Sequence, residues 1–174
     1  PKQRVSERAR ASQRRVEKRD GTSMNGGELF VKCLENEGVR YIFGVPGEEN
    51  ANLLLALEHS PIRFMITRHE QSAAFMAEVY GRLTGEAGVC LSTLGPGATN
   101  TVTGVATANI DRSPLVVITG QSDMQRQHKE SHQRMDVVSM FRPITKSAVP
   151  VLHQDNIPEV VRQAFKLATR EKTG

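Results

Sequence analysis

The sequence predicts an α/β fold, a parallel sheet covered by helices on both faces. Three observations predict it. Short, wholly apolar runs recur between residues 41 and 119, segments with helical apolar spacing separate them, and Gly/Pro clusters follow two of the runs. Strands that are apolar throughout, rather than alternating, are those buried under helices on both faces.

Each element follows in order. Residues 28–37 place Leu29, Phe30, Cys33 and Leu34 on one helical face, with Gly38 as the stop. Residues 41–43 form a strand that ends in the turn cluster Gly44, Val45, Pro46, Gly47. Residues 48–58 predict a second helix with Leu53, Leu54 and Leu57 inward, followed by a strand at 64–66 and a helix over 70–83. Residues 89–93 form a strand, and Gly95, Pro96 and Gly97 open a helix running to about residue 109. The run 115–119, Leu-Val-Val-Ile-Thr, is the most strand-like in the chain. Residues 122–134 are polar and predict a surface loop. A strand at 148–151 then leads into a helix over 158–168, with Val160, Val161, Ala164, Phe165 and Ala168 inward. An α/β alternation would next supply a strand. The expectation is therefore a domain over 24–174 that belongs to a longer protein, with its final strand missing.

The 174 residues suffice for one domain with a real core. With 38% hydrophobic residues, 24% charged and two cysteines, collagen-like, membrane-spanning and disulfide-scaffold classes are excluded. The net charge of +4 is local: residues 1–23 carry eight basic and three acidic side chains, leaving the body near neutral. That segment holds four apolar residues, too few to offset ordering entropy, and predicts a disordered arm. A transit peptide fits it less well because of the acids, and a nucleic-acid arm less still because it has no aromatic residue for stacking. Cys33 and Cys90 read as small buried hydrophobes in a reducing compartment. No stretch is long enough to span a bilayer and no signal peptide opens the chain, so the expectation is a soluble cytoplasmic protein with neither membrane nor nucleic-acid partners.

Open α/β sheets bind ligands beyond the carboxyl ends of their strands. Three such ends are distinctive: residues 44–47, residues 67–71 (Thr-Arg-His-Glu-Gln) and residues 93–100 (Thr-Leu-Gly-Pro-Gly-Ala-Thr-Asn). Gly95 and Gly97 bracket a proline at a strand-to-helix turn. This is either a tight turn or a place where backbone approaches a flat or anionic ligand. Glu70 is either a solvated acid favoured by the helix dipole or a carboxyl packed in low dielectric with a raised pKa, able to exchange a proton near neutrality. The small apolar residues after it favour the packed reading, and His69 reads as a structural hydrogen-bonding residue. A dinucleotide site fails on details: Asn100 stands where a third glycine belongs, and Asp111 comes too early for a ribose acid. There is no Walker A motif, metal-ligand spacing or nucleophile elbow.

Phe43–Gly47, Arg68–Gln71, Gly95–Asn100, Ile118–Gln121 and Ile144–Lys146 occur in an order and spacing that resembles the pyrimidine-binding (PYR) domain of thiamine-diphosphate enzymes of the acetolactate synthase and pyruvate oxidase group. The likeness covers about residues 25–174. It implies that Glu70 hydrogen-bonds N1′ of the cofactor's aminopyrimidine and promotes its imino tautomer, whose nitrogen takes the thiazolium C2 proton before attack on a 2-oxo acid. By the same resemblance Glu70 and Gln121 are catalytic. Pro46, Gly47, Thr93, Gly97 and Asn100 bind cofactor with Glu70, and Val45 and Gln133 lie near substrate. The resemblance also implies a homo-oligomer, dimer or tetramer, with the site shared between subunits. Diphosphate and Mg²⁺ would be bound by a C-terminal domain absent from this chain, which alone would be inactive; FAD contacts would lie elsewhere.

Two departures from the family pattern bear on substrate. His132, Gln133 and Arg134 stand where many acetolactate synthases have Phe-Gln-Glu, and Glu48-Glu49 replaces small residues after Pro46-Gly47. The reading is an acetolactate synthase-like enzyme of branched-chain amino acid biosynthesis. Alternatives are a thiamine-diphosphate pyruvate oxidase or 2-oxo-acid decarboxylase, and a non-catalytic oligomerisation module pairing through helices rich in small residues.

Overall fold

Asn25 begins the first helix, α1 (Gly26–Asn36), by a reciprocal cap. Its side chain accepts the Glu28 N–H at 2.9 Å, and the Glu28 carboxylate accepts the Asn25 N–H at 2.7 Å. The cap starts the helix three residues before its apolar face does. The computed structural model describes residues 24–123 and 132–174. The basic arm expected over 1–23, and residues 124–131 of the expected polar loop, lie outside the described residues.

Four strands follow from the apolar runs: β1 (Tyr41–Gly44), β2 (Arg63–Ile66), β3 (Gly88–Ser92) and β4 (Leu115–Thr119). They form one parallel sheet in the order β2-β1-β3-β4. Their side chains alternate between two helical layers. Ile42, Val89 and Leu91, with Val116 and Ile118, meet α1, α2 (Ala51–Leu57) and α7 (Ile157–Thr169) through Val31, Leu34, Leu53, Leu57, Val161 and Phe165. Phe43, Cys90, Leu115 and Val117 meet Ala73, Ala74 and Ala77 of α3 (Glu70–Thr84). Leu115 and Val117 also meet Ala98 of α4 (Pro96–Asn100), Val105 of α5 (Val102–Asp111) and Val137 and Phe141 of α6 (Val137–Phe141). Both faces are covered by helices, as expected.

The structure corrects three boundaries. The helix expected over 48–58 opens as a 3-10 turn, Glu48–Asn50, before α2. The helix expected over 96–109 is divided at buried Thr101, whose N–H and hydroxyl both bond the Ala98 carbonyl and tighten the turn there. The strand expected over 148–151 does not form: Val149 and Val151 are exposed, and Pro150 has no N–H to give a ladder.

Glu78 is a fold feature the apolar pattern did not reveal. It is 2% exposed and accepts from Arg82 Nε at 2.8 Å and from the Ser113 hydroxyl at 2.6 Å. Arg82 also pairs with Asp111. The network ties α3 to the turn between α5 and β4, and satisfies a carboxylate that would otherwise be costly to bury.

The connection from β1 to β2 runs through α2 on one face, and that from β3 to β4 runs through α4 and α5 on the other. Since β1 and β3 are neighbours, the chain leaves their carboxyl ends toward opposite faces and opens a crevice between them. No helix among the described residues is long and apolar enough to cross a membrane.

Candidate functional site

The crevice is lined first by the turn after β1. Buried Asn50 closes this turn on itself: its side-chain oxygen accepts the Gly47 N–H at 3.0 Å, and its amide donates to the Val45 carbonyl at 3.4 Å. Val45, Pro46 and Gly47 are thereby fixed against the turn after β3. A Cβ on Gly47 would lie 2.1 Å from Thr93 Cγ2, so only glycine lets the two turns approach this closely. Asn50 was not singled out from sequence. An Asn three residues after a Pro-Gly pair is a turn-closing signal that could have identified it.

Thr93 is the centre of the crevice floor. A Cβ on Gly97 would stand 2.4 Å from Thr93 Oγ1 and 3.4 Å from Glu70 Oε1, so Thr93, Gly97 and Glu70 converge. Gly95 turns the chain into α4 with φ +54°, a region glycine tolerates, and Pro96 takes the first helical position. Beyond it, Asn100 Nδ2 donates to Glu70 Oε2 at 2.9 Å.

Glu70 is the first residue of α3, and it is half-buried. His69 caps that helix, its Nδ1 accepting the Gln71 N–H at 3.1 Å, and Thr67 bonds back to the Gly44 and His69 carbonyls. These bonds hold the Glu70 backbone against β1. Cys90 lies under the site on β3, fully buried. Burial, with the Glu70 charge adding to it, pushes its thiol pKa up to about 12, so it stays neutral packing.

The remaining expected residues form a second group. Gln121, just past β4, donates through Nε2 to the Met135 carbonyl at 3.1 Å and accepts the Ser122 N–H at 3.0 Å. Gln133 has φ +56°, and its carbonyl lies 2.2 Å from where a Gly95 Cβ would be. The segment 133–135 therefore rests on the Gly-Pro-Gly turn and is held there by Gln121. The structure thus brings Gly47, Glu70, Thr93, Gly97 and Asn100 together, with Val45 and Pro46 in the adjoining turn. Gln121 joins the wall of the crevice through its side-chain amide, and Gln133 through its backbone carbonyl. Ser122 Oγ beside them is buried with no hydrogen-bond partner among the described residues. Nor do the described residues contain a group of three or more His, Cys, Asp or Glu side chains placed to hold a metal ion.

Residues 24–140 match the family described as thiamine pyrophosphate enzyme, N-terminal TPP binding domain. The chain belongs to this thiamine pyrophosphate enzyme family. It is 45% identical over 151 residues to a probable acetolactate synthase large subunit of Methanocaldococcus jannaschii, covering 87% of this chain and 26% of that protein. It is 44% identical over 149 residues to an acetolactate synthase of Bacillus subtilis, covering 86% and 26%. It is 45% identical over 150 residues to a catabolic acetolactate synthase of Raoultella terrigena, covering 86% and 27%. The chain spans about a quarter of the length of these relatives.

The site's chemistry suits the pyrimidine half of thiamine pyrophosphate. A flat ring needs a floor without projecting side chains, which Gly47 and Gly97 leave around Thr93. A ring nitrogen needs one carboxyl to share a proton with it. Asn100 occupies one oxygen of Glu70, and the other lies toward Gly97.

Proposed function

We propose that this chain is the pyrimidine-binding part of an acetolactate synthase-like enzyme that joins two 2-oxo acids with loss of CO₂. The observation that carries the reading is Glu70, held between the Asn100 amide and the glycine-floored turn. When bound, thiamine diphosphate supplies the carbon nucleophile and the electron sink for loss of CO₂. Glu70 holds or releases a proton at the pyrimidine nitrogen it faces. Asn100 fixes which carboxylate oxygen is free to do so, and a half-buried position keeps water from levelling the exchange. Pro46, Gly47, Thr93 and Gly97 set the ring plane. Val45 and Gln133 border the substrate side, and Gln121 faces the reacting centre from the end of β4. The domain extends over 24–174, behind an arm at 1–23.

A neighbouring domain supplies the diphosphate and Mg²⁺ contacts, a second copy completes the site in a homo-oligomer, and the protein works in the cytoplasm. The similarity to acetolactate synthases favours carboligation over the oxidase and decarboxylase readings. Glu70→Gln keeps the shape and removes the titrating group. The variant, made in the protein that carries this chain, is expected to lose cofactor C2 proton exchange and turnover by at least about a hundredfold, the contribution of a general acid–base group. Undiminished exchange, followed by NMR in D₂O, would refute the assignment. Acetolactate, acetyl phosphate and acetaldehyde as products of pyruvate separate the three reactions.

A further inference from the structure

Asn50 is a buried polar residue beside the crevice, 5% exposed, and the function above gives it no part. It stands immediately before α2, where an asparagine ordinarily accepts an N–H of the first helical turn. Asn50 makes no such cap bond. Its side chain reaches back instead, accepting the Gly47 N–H at 3.0 Å and donating to the Val45 carbonyl at 3.4 Å. A local preference is given up for the geometry of the loop, a trade expected near a functional site. Pro46 has no N–H to give, and the two bonds close the loop around it. On its other side the loop cannot approach further, since a Cβ on Gly47 would already lie 2.1 Å from Thr93 Cγ2. Thr93 in turn abuts Gly97, and Gly97 faces Glu70 Oε1. The separation between the Pro46–Gly47 wall and Glu70 is therefore set by Thr93 from within and by Asn50 from behind.

We propose that Asn50 is a positioning residue: by holding Gly47 against Thr93 it fixes the plane of the pyrimidine ring relative to Glu70. This rests on the functional reading above, in which Pro46, Gly47, Thr93 and Gly97 set that plane and Glu70 holds or releases a proton at the ring nitrogen. A proton passes between carboxyl and nitrogen only at hydrogen-bond distance, and a misplacement of about 1 Å costs about a hundredfold in rate. Asn50 touches neither group. It acts through Gly47, whose N–H it binds.

The test compares Asn50→Ala and Asn50→Asp in the protein that carries this chain. Asn50→Asp keeps the acceptor for the Gly47 N–H, the shorter bond, and loses the donor to Val45. In Asn50→Ala, calorimetry is expected to show thiamine diphosphate binding weakened by about three- to thirtyfold in the presence of Mg²⁺. C2 proton exchange at saturating cofactor is expected to fall by about ten- to a hundredfold. Asn50→Asp should recover most of that rate. Amide hydrogen exchange at Gly47 in the cofactor-free protein should speed up in Asn50→Ala and stay slow in Asn50→Asp. Asn50→Ser, whose hydroxyl is one bond too short to hold both partners, takes the place of Asn50→Ala if that variant does not fold. Ser113→Ala, destabilised at the opposite end of β4, is expected to keep the saturated exchange rate and so separates positioning from loss of stability. An unchanged saturated rate in Asn50→Ala overturns the proposal, as does an equal fall in Ser113→Ala or an Asn50→Asp rate no better than that of Asn50→Ala. Glu70→Gln answers the separate question. Survival of C2 exchange in that variant fails the functional reading, whereas its loss there with an unchanged rate in Asn50→Ala refutes only the role of Asn50.

Discussion

Gly104 couples the packing of the fold to the site, and its replacement by alanine tests that coupling. It lies on α5 where that helix crosses α3, and a Cβ added there would stand 2.6 Å from Ala74 Cβ. Ordinary contact begins near 3.4 Å, so the helices must separate by about 1 Å. Overpacking of this kind costs about 1–3 kcal/mol, against which the better helix propensity of alanine returns up to about 1 kcal/mol. Gly104→Ala is therefore expected to be destabilising by about 0–3 kcal/mol in urea unfolding. The sharper measurement is a cycle with Ala74→Gly, which empties the same space. In that background the 2.6 Å contact is gone, and Gly104→Ala meets only backbone, the Ala74 carbonyl carbon at 3.1 Å and the Phe75 nitrogen at 3.2 Å, so most of the clash is relieved. The coupling between the two substitutions should be about 1–3 kcal/mol in the restoring direction. Additivity within about 0.5 kcal/mol would refute the packing argument. The same displacement separates the start of α3 from the end of α4, and so stretches the 2.9 Å bond from Asn100 to Glu70. Cofactor affinity should fall in Gly104→Ala and return in the double variant.

Two further outcomes follow from buried polar chemistry. Ser113→Ala removes the hydroxyl that Glu78 accepts in the buried network, and should lower the urea midpoint by the equivalent of about 1.5–3 kcal/mol with an unchanged m-value. Cys90, with its pKa raised to about 12 from a model-peptide value of 9.0, binds its proton more tightly in the folded state. Its contribution to stability is therefore complete below pH 9 and is lost as pH rises toward 12, at up to about 1.4 kcal/mol per pH unit. Cys90→Ala should flatten that part of the stability–pH profile, and an unaltered slope would show that the thiol ionises as freely in the fold as outside it.

The legible parts of this protein are those written in local order. The strand at 115–119 matches residue for residue, because a leucine and four consecutive β-branched residues bounded by Pro114 and Gly120 leave little alternative. The turns after β1 and β3 were legible as Gly/Pro clusters, and their place at the strand ends followed from the alternation of strand and helix. The strand expected at 148–151 was not legible, since apolar composition alone does not say whether a neighbouring edge is available to pair with it. The contacts that make a site from separate turns were also beyond reach. Nothing in the spacing of Gly47, Thr93, Gly97 and Glu70 says that two glycines must lose their Cβ atoms to the same threonine. The order β2-β1-β3-β4 brings them together, because it places β1 beside β3 and sends their following helices to opposite faces. Glu78 shows the same limit. Its i,i+4 spacing to Arg82 is visible in the sequence and predicts an exposed pair, and only the arrival of Ser113 from 35 residues away makes it a buried one. Side chains whose role depends on one distant partner are thus the ones a local pattern misplaces.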